Sequence, residues 1–238
     1  MKIILENIGK RFNREWIFRN VSHEFSIGNK YAVLGTNGSG KSTLLQIIAG
    51  AMSQTEGKIE AHSHPLPLGG EKRQEVLPNG EVPIAIGIGG ALDEFLFRHL
   101  SYAAPYLELP EEMTWKEAVH FHSKFKKFAL VGISNPDQQI EKIISLSGLE
   151  SAANKELRNF SSGMKQRARL ALAILSDAPL LLLDEPSTNL DQNAVKWYQN
   201  LVSEFAQEKL VIVCSNYNKE EYSFCNKEFV LTKNQVNT

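Results

Sequence analysis

Cysteine is almost missing from this chain: Cys214 and Cys225 are the only two among 238 residues, too few and too isolated for a disulfide framework or a thiolate zinc site. They read as the reduced thiols of a cytosolic protein. Surplus charge is missing too. Lysine and arginine number 26 against 27 aspartates and glutamates, so no basic excess exists to replace counterions along a phosphate backbone, and nucleic acid is not expected as a partner. Long apolar runs are absent as well. The opening MKIILE has too short an apolar stretch for a secretory signal. The longest uncharged, largely apolar run, Val82 to Leu92, falls far below the ~18 residues of a membrane helix. Any membrane role therefore has to come through a partner. What is present, 42% hydrophobic and 22% charged residues, is ordinary for a globular protein, with chain enough for one large α/β domain.

Short β-like runs alternate with helical ones, which predicts a mostly parallel sheet. The first strong strand, Lys30 to Gly35, leads directly into a glycine-rich loop. A helix follows over Lys41 to Ala49, with Leu44, Leu45 and Ile48 on one face and Gly50 as its C-cap. Residues 61–92 are rich in proline and glycine and lack helical periodicity, so they are expected to form a β-arm with a loop insertion. The cluster Gly87 to Gly90 lacks the spacing and the lysine of a second phosphate loop.

Helices dominate from Thr114. Thr114 and Glu117 form a capping box, and Ala118, Phe121, Phe125 and Phe128 recur at helical spacing. His120 and His122 have the wrong spacing to share a metal on one helix face and are expected as ordinary helix residues. A second helix starts at Pro136, carries Ile140, Ile143 and Ile144 inward and stops at Gly148. This pair marks an inserted helical subdomain over about 95–160, inside a single domain of 1–238. Beyond it lie a helix from Ser162 to Ser176, the run Leu180 to Leu183, which suits a strand buried on both faces, and an amphipathic helix after Asp191. That helix has Val195, Tyr198, Leu201, Val202 and Phe205 on its inner stripe. Strands over Leu210 to Cys214 and around Phe229 to Leu231 complete the pattern.

Three constellations carry chemistry. Gly35, Thr36, Asn37, Gly38, Ser39, Gly40, Lys41 and Ser42 match the phosphate-loop pattern, between a strand and a helix as that pattern requires. The glycines let successive backbone N–H groups face phosphate oxygens, and the helix dipole adds partial positive charge. Lys41 is placed to bridge the β- and γ-phosphates, with Ser42 a ligand for Mg²⁺ and Thr43 beside it in the site. Second, the buried strand Leu180 to Leu183 ends in Asp184 and Glu185. Ligands of parallel sheets bind beyond the carboxyl ends of strands, so both acids are expected in the same crevice. Asp184 suits Mg²⁺ and Glu185 suits accepting a proton from the attacking water. Third, Ser161 N-caps a helix, with Gly163 two residues on.

The order and spacing of these three motifs resemble the nucleotide-binding domain of ABC-type ATPases over nearly the whole chain. The resemblance implies a P-loop NTPase fold: a central, mostly parallel sheet, an N-terminal antiparallel β part and an inserted helical subdomain. It implies hydrolysis of ATP with Mg²⁺, by two domains paired head to tail as a homodimer or a heterodimer. Ser161 and Gly163 of one then cap the γ-phosphate held by the loop of the other. It places Phe12 against adenine, with Trp16 competing for that role, and Asp191 near the partner domain. A separate transmembrane permease subunit docks around Pro105 to Phe128, which puts the chain on the cytoplasmic face of the membrane. Four positions depart from the family pattern. Ser162 and Met164 replace a glycine and the glutamine of the signature. Asn216 stands where the family has a histidine and can donate a hydrogen bond but not titrate, which predicts slow hydrolysis. Pro105 occupies the place of a glutamine, with Glu108 the nearest polar substitute. A soluble regulatory ATPase of the same fold, or a nucleotide-binding module of weak turnover, are the alternatives.

Overall fold

The structure, a computed structural model, describes residues 1–63, 82–85 and 99–233. Most of the expected β-arm, the cluster Gly87 to Gly90 included, lies outside the described residues. The chain opens with a hairpin of β1 (Lys2–Phe12) and β2 (Glu15–Ser26), then runs through β3 (Lys30–Leu34), α1 (Lys41–Ile48), β4 (Glu56–Ser63), β5 (Val82–Ala85) and β6 (Leu100–Ala103). Next come α2 (Trp115–Ser123), α3 (Pro136–Ser147), α4 (Ser162–Leu175) and β7 (Leu180–Asp184). α5 (Gln192–Phe205), β8 (Leu210–Ser215), α6 (Lys219–Tyr222) and β9 (Lys227–Val230) finish it. None of the described helices is long and apolar enough to cross a membrane.

Two sheets result. One is antiparallel in the order β2-β1-β4-β5, and the other runs β6-β7-β8-β3-β9 with every pairing parallel. The four leucines of β7 explain how the layers meet. Leu181 and Leu183 pack with α2 to α5, whereas Leu180 and Leu182 pack with α1 and the antiparallel sheet, and all four are fully buried. A period of two over an all-apolar run thus supplies two cores from one strand. Each of these leucines contributes roughly 2 kcal/mol by leaving water.

The helix signals translate into caps. Glu117 N donates to Thr114 Oγ1, and the Glu117 carboxylate accepts from Thr114 N, closing the capping box. Asn135 caps α3, which ends on Gly148 at φ 65°. Asp191 Oδ1 accepts from Ala194 N at 2.7 Å at the head of α5. Two expectations need correction. The cap position of α1 falls to Ala49, with Gly50 one residue beyond at φ 70°. The phenylalanine stripe does not turn inward as a whole: α2 stops at Ser123, Phe128 is buried, and Phe121 and Phe125 are 49% and 57% exposed in edge-to-face contact.

His122 lies on α2 as expected, but it is not an ordinary helix residue. Its ring stacks on Phe128 with centroids 5.5 Å apart, and its Nε2 lies 2.8 Å from Ser176 Oγ. That hydroxyl gives its own proton to Leu172 O, so His122 Nε2–H is the donor. Burial, aided by the Lys126 ammonium, holds the imidazole down at about 4. The unfolded ring titrates near 6.5, so between pH 6.5 and 4 the unfolded chain binds the extra proton. Stability from this group is therefore full above pH 6.5 and lost as pH falls. Urea unfolding at pH 7 and pH 5 should show wild type losing about 2 kcal/mol more than His122→Gln. Identical pH dependence of the two would refute the assignment.

Candidate functional site

The carboxyl ends of three neighbouring strands build the site. The registers Asp184↔Cys214 and Val33↔Cys214 set Asp184, Cys214 and Val33 level, so that β7, β8 and β3 end within one residue of each other, at Asp184, Ser215 and Leu34, on one edge of the sheet. Glu185, Asn216 and Gly35 each follow by one residue. The loop from Gly35 to Gly40 then passes under β2: a Cβ on Gly40, which sits at φ 96°, would lie 2.6 Å from Ile17 Cγ2. Only glycine satisfies both the left-handed backbone and that close approach. Gly40 is the N-cap of α1 and offers no side chain to it, unlike Thr114, Asn135, Ser161 and Asp191 at the heads of α2 to α5. The first-turn N–H groups of α1 are thereby left for an anion.

Lys41 is 4% exposed, and its Nζ donates to Gly35 O at 2.8 Å and Thr36 O at 3.1 Å. Thr36, Asn37 and Gly38 are exposed on the outer turn of the loop, while Ser39 turns back so that its N–H donates to Thr36 O. Ser42 and Thr43 are half-buried on the first turn of α1.

Asp184 is 1% exposed, yet neither carboxylate oxygen has a hydrogen-bond partner of good geometry. Burial pushes its carboxyl above the usual range, opposed by the Ser42 and Tyr106 hydroxyls, supported by the Glu185 charge and opposed again by Lys41. Two buried, unpartnered oxygens beside the Ser42 hydroxyl fit the demand of a hard divalent cation for oxygen donors. Among the described residues no group of three or more His, Cys, Asp or Glu is placed to hold a metal.

Glu185 stands at φ 42°, a left-handed conformation that costs ~1–3 kcal/mol for a non-glycine residue. Its N–H donates to Cys214 O at 3.0 Å, and its carbonyl accepts from Thr188 N at 3.1 Å, which holds the bend. Asn216 is exposed on the bend after β8.

Phe12 and Trp16 separate. Trp16 has the Arg19 guanidinium 4.2 Å and the Arg11 guanidinium 5.3 Å from its ring, whereas Phe12 is 44% exposed with the Lys10 ammonium at 4.9 Å. Ser161 Oγ accepts from Met164 N at 3.3 Å, and a Cβ on Gly163 would come 2.9 Å from Asn189 O. Within the chain, the signature glycine is thus needed for contact with the turn after Glu185.

Two tyrosines near the metal-type pocket carry no signal in the sequence. Tyr102 and Tyr106 bring their hydroxyls together, and Gln46 Nε2 on α1 donates to Tyr106 Oη at 3.2 Å. They occupy the stretch where the family's glutamine is expected, and only the parallel pairing of β6 with β7 reveals it.

A strand, a glycine-rich turn and a helix opening onto paired acids at the end of a neighbouring parallel strand define a P-loop NTPase. Residues 18–188 match the ABC transporter family, and the chain belongs to that family as a nucleotide-binding domain. An uncharacterized ABC transporter ATP-binding protein of Bacillus subtilis is 27% identical over 98% of this chain and 67% of its own length. The Nod factor export ATP-binding protein I of Rhizobium leguminosarum bv. viciae is 29% identical over 96% of this chain and 66% of its own. The chain thus spans about two thirds of the length of both. Among solved structures, a dimeric post-hydrolysis state of an ATP-binding cassette bound to ADP and Pi has the same fold. It matches with a TM-score of 0.74 and 20% identity over 99% of this chain and 97% of that one.

Proposed function

We propose that this chain binds and hydrolyses ATP as one of two paired cassettes and drives transport through a separate membrane-spanning subunit. The observation that carries the reading is the meeting of an uncapped helix, a buried lysine and two acids at one sheet edge. Lys41 and the N–H groups of residues 38 and 40–43 grip the phosphates. Ser42 and Asp184 hold Mg²⁺, which screens the negative charge of the phosphates when bound. Glu185 takes the proton of the attacking water. Phe12, whose ring is the more open of the two aromatics, stacks on the adenine.

Ser161 and Gly163 serve the nucleotide of the opposite cassette, and the dimeric solved relative supports such a pairing. The same chain twice and two related chains are both compatible with the site. The export function named for the Rhizobium relative supports transport. A cleft of about 150 Å³ is lined by Tyr102, Leu107, Leu109, His122 and Arg169, and Phe121 and Phe125 in the same stretch of chain are exposed. It supports docking of the membrane subunit within 105–128, on the cytoplasmic face. Asn216 favours slow turnover, because it offers the γ-phosphate a neutral donor in place of a titrating ring.

Phosphate release from Mg-ATP by the purified chain tests the reading. Turnover is expected, and Asn216→His should raise it by roughly tenfold, the scale of one charge-assisted hydrogen bond. If that variant is no faster, slow turnover has another cause. If neither protein releases phosphate, the chain is not an ATPase.

A further inference from the structure

Between Glu185 and α6 runs a hydrogen-bonded circuit that nucleotide binding alone does not call for. Glu221 is only 4% exposed. Ser187 donates to its Oε1 twice, from Oγ at 2.7 Å and from N at 3.4 Å. Asn218 Nδ2 donates to the same Ser187 Oγ at 3.1 Å, and Asn218 N donates to Ser215 Oγ at 3.1 Å. Glu221 itself is pinned through its backbone, since Tyr198 Oη donates to Glu221 O at 2.8 Å and Glu221 N donates to Asn218 O at 3.0 Å. On its far side the same turn is held by α4: Gln166 Nε2 donates to Pro186 O at 3.0 Å, and Gly163 packs against Asn189 O. Residues 186–189 are thus clamped between the head of α4 and the head of α6, immediately after the strained Glu185.

Burying a carboxylate is costly unless its oxygens are hydrogen-bonded. Packing alone would be served better by an apolar side chain of the same size. Here burial pushes the Glu221 carboxyl up, and hydrogen bonds from Ser215 and Ser187 hold it against that push, while the Glu185 charge adds to it. The acid is kept where its oxygen fixes the one hydroxyl in the turn that also meets Asn218. Two segments are locked by that hydroxyl: the turn that sets the backbone of Glu185, and the bend that carries Asn216.

We propose that Glu221 is a positioning residue for ATP hydrolysis, holding Glu185 and Asn216 in register with each other through Ser187. The inference rests on the reading of the chain as an ATPase. Neither Glu221 nor Ser187 is among the groups proposed above to grip the nucleotide, so ATP affinity should not depend on them, whereas the rate of the chemical step should.

Steady-state hydrolysis of Mg-ATP by the full chain gives the test. Glu221→Ala should lower kcat about tenfold with KM for ATP within about twofold. Glu221→Gln, which keeps an acceptor oxygen for Ser187, should stay within about threefold of wild type. Ser187→Ala should match Glu221→Ala, and the double variant should be no slower than either single one, because both cut the same link. Should Glu221→Ala fail to fold, the contrast between Ser187→Ala and Glu221→Gln decides the same question. Amide hydrogen exchange of residues 185–190 without nucleotide should quicken in Ser187→Ala. Wild-type kcat in Ser187→Ala, additive losses in the double variant, or unaltered exchange would each overturn the proposal. A wild-type chain that releases no phosphate overturns the ATPase reading and this proposal with it. Active wild type beside an equally active Glu221→Ala overturns this proposal alone.

Discussion

Glu185→Gln should lower ATP turnover by roughly 10²–10⁴-fold, the range a general base contributes, while leaving ATP binding intact and trapping an ATP-dependent dimer. The substitution is nearly isosteric, and glutamine meets the same backbone cost at φ 42° as glutamate, so the bond from residue 185 N to Cys214 O has no reason to change. Only the proton acceptor is removed. On the proposed pairing, Gly163 and Ser161 of the opposite cassette should then keep a γ-phosphate that is not cleaved. Phosphate release measures the first part, and size-exclusion chromatography with and without Mg-ATP measures the second. Wild-type turnover in the variant would take the role of base away from Glu185. A variant that stays monomeric in millimolar Mg-ATP would dismiss the shared site while leaving each phosphate loop in place.

Lys41→Ala should weaken ATP binding about 10- to 100-fold. The ammonium now rests on the carbonyls of Gly35 and Thr36, which keep it extended along the loop and out of water. Nucleotide offers phosphate oxygens in exchange, and a hydrogen bond between charged partners is worth about 1.5–3 kcal/mol, with each 1.4 kcal/mol a factor of ten in affinity. Val33, Leu44 and Leu45, fully buried on the strand and helix that flank the loop, are unaltered in the variant, which should keep its circular dichroism. Titration with a fluorescent ATP analogue reads the affinity. Unchanged affinity would mean that backbone N–H groups alone carry the phosphates and that Lys41 braces the loop.

The features legible in the sequence are those whose cause is local. A strand, glycines at fixed offsets and a helix make the phosphate loop, and the caps at Thr114 and Ser161 each depend on residues within a turn. The four leucines of β7 announce a strand buried on both faces because composition alone says so. What escapes depends on residues far apart. His122 is half-buried against Phe128 and Ser176, the second of which belongs to a different part of the chain. Phe121 and Phe125 keep helical spacing, yet the helix ends between them, and periodicity does not register where a helix stops. Tyr106 joins the Asp184 neighbourhood only because β6 lies beside β7. Gly163 reads as a glycine for the partner's phosphate, and its approach to Asn189 O is visible only once α4 and the turn after β7 are packed together.

The bare head of α1 has a thermodynamic consequence. The other long described helices carry the means of ending themselves, but this one leaves its last structural requirement to a molecule from outside. Binding there acts as the closing step of folding. A ligand that recognises only the native state raises stability by about 2.7 kcal/mol at one hundred times its dissociation constant. The robustness of the cassette therefore rises and falls with the nucleotide supply around it, and the chain is most easily unfolded when there is no fuel to use.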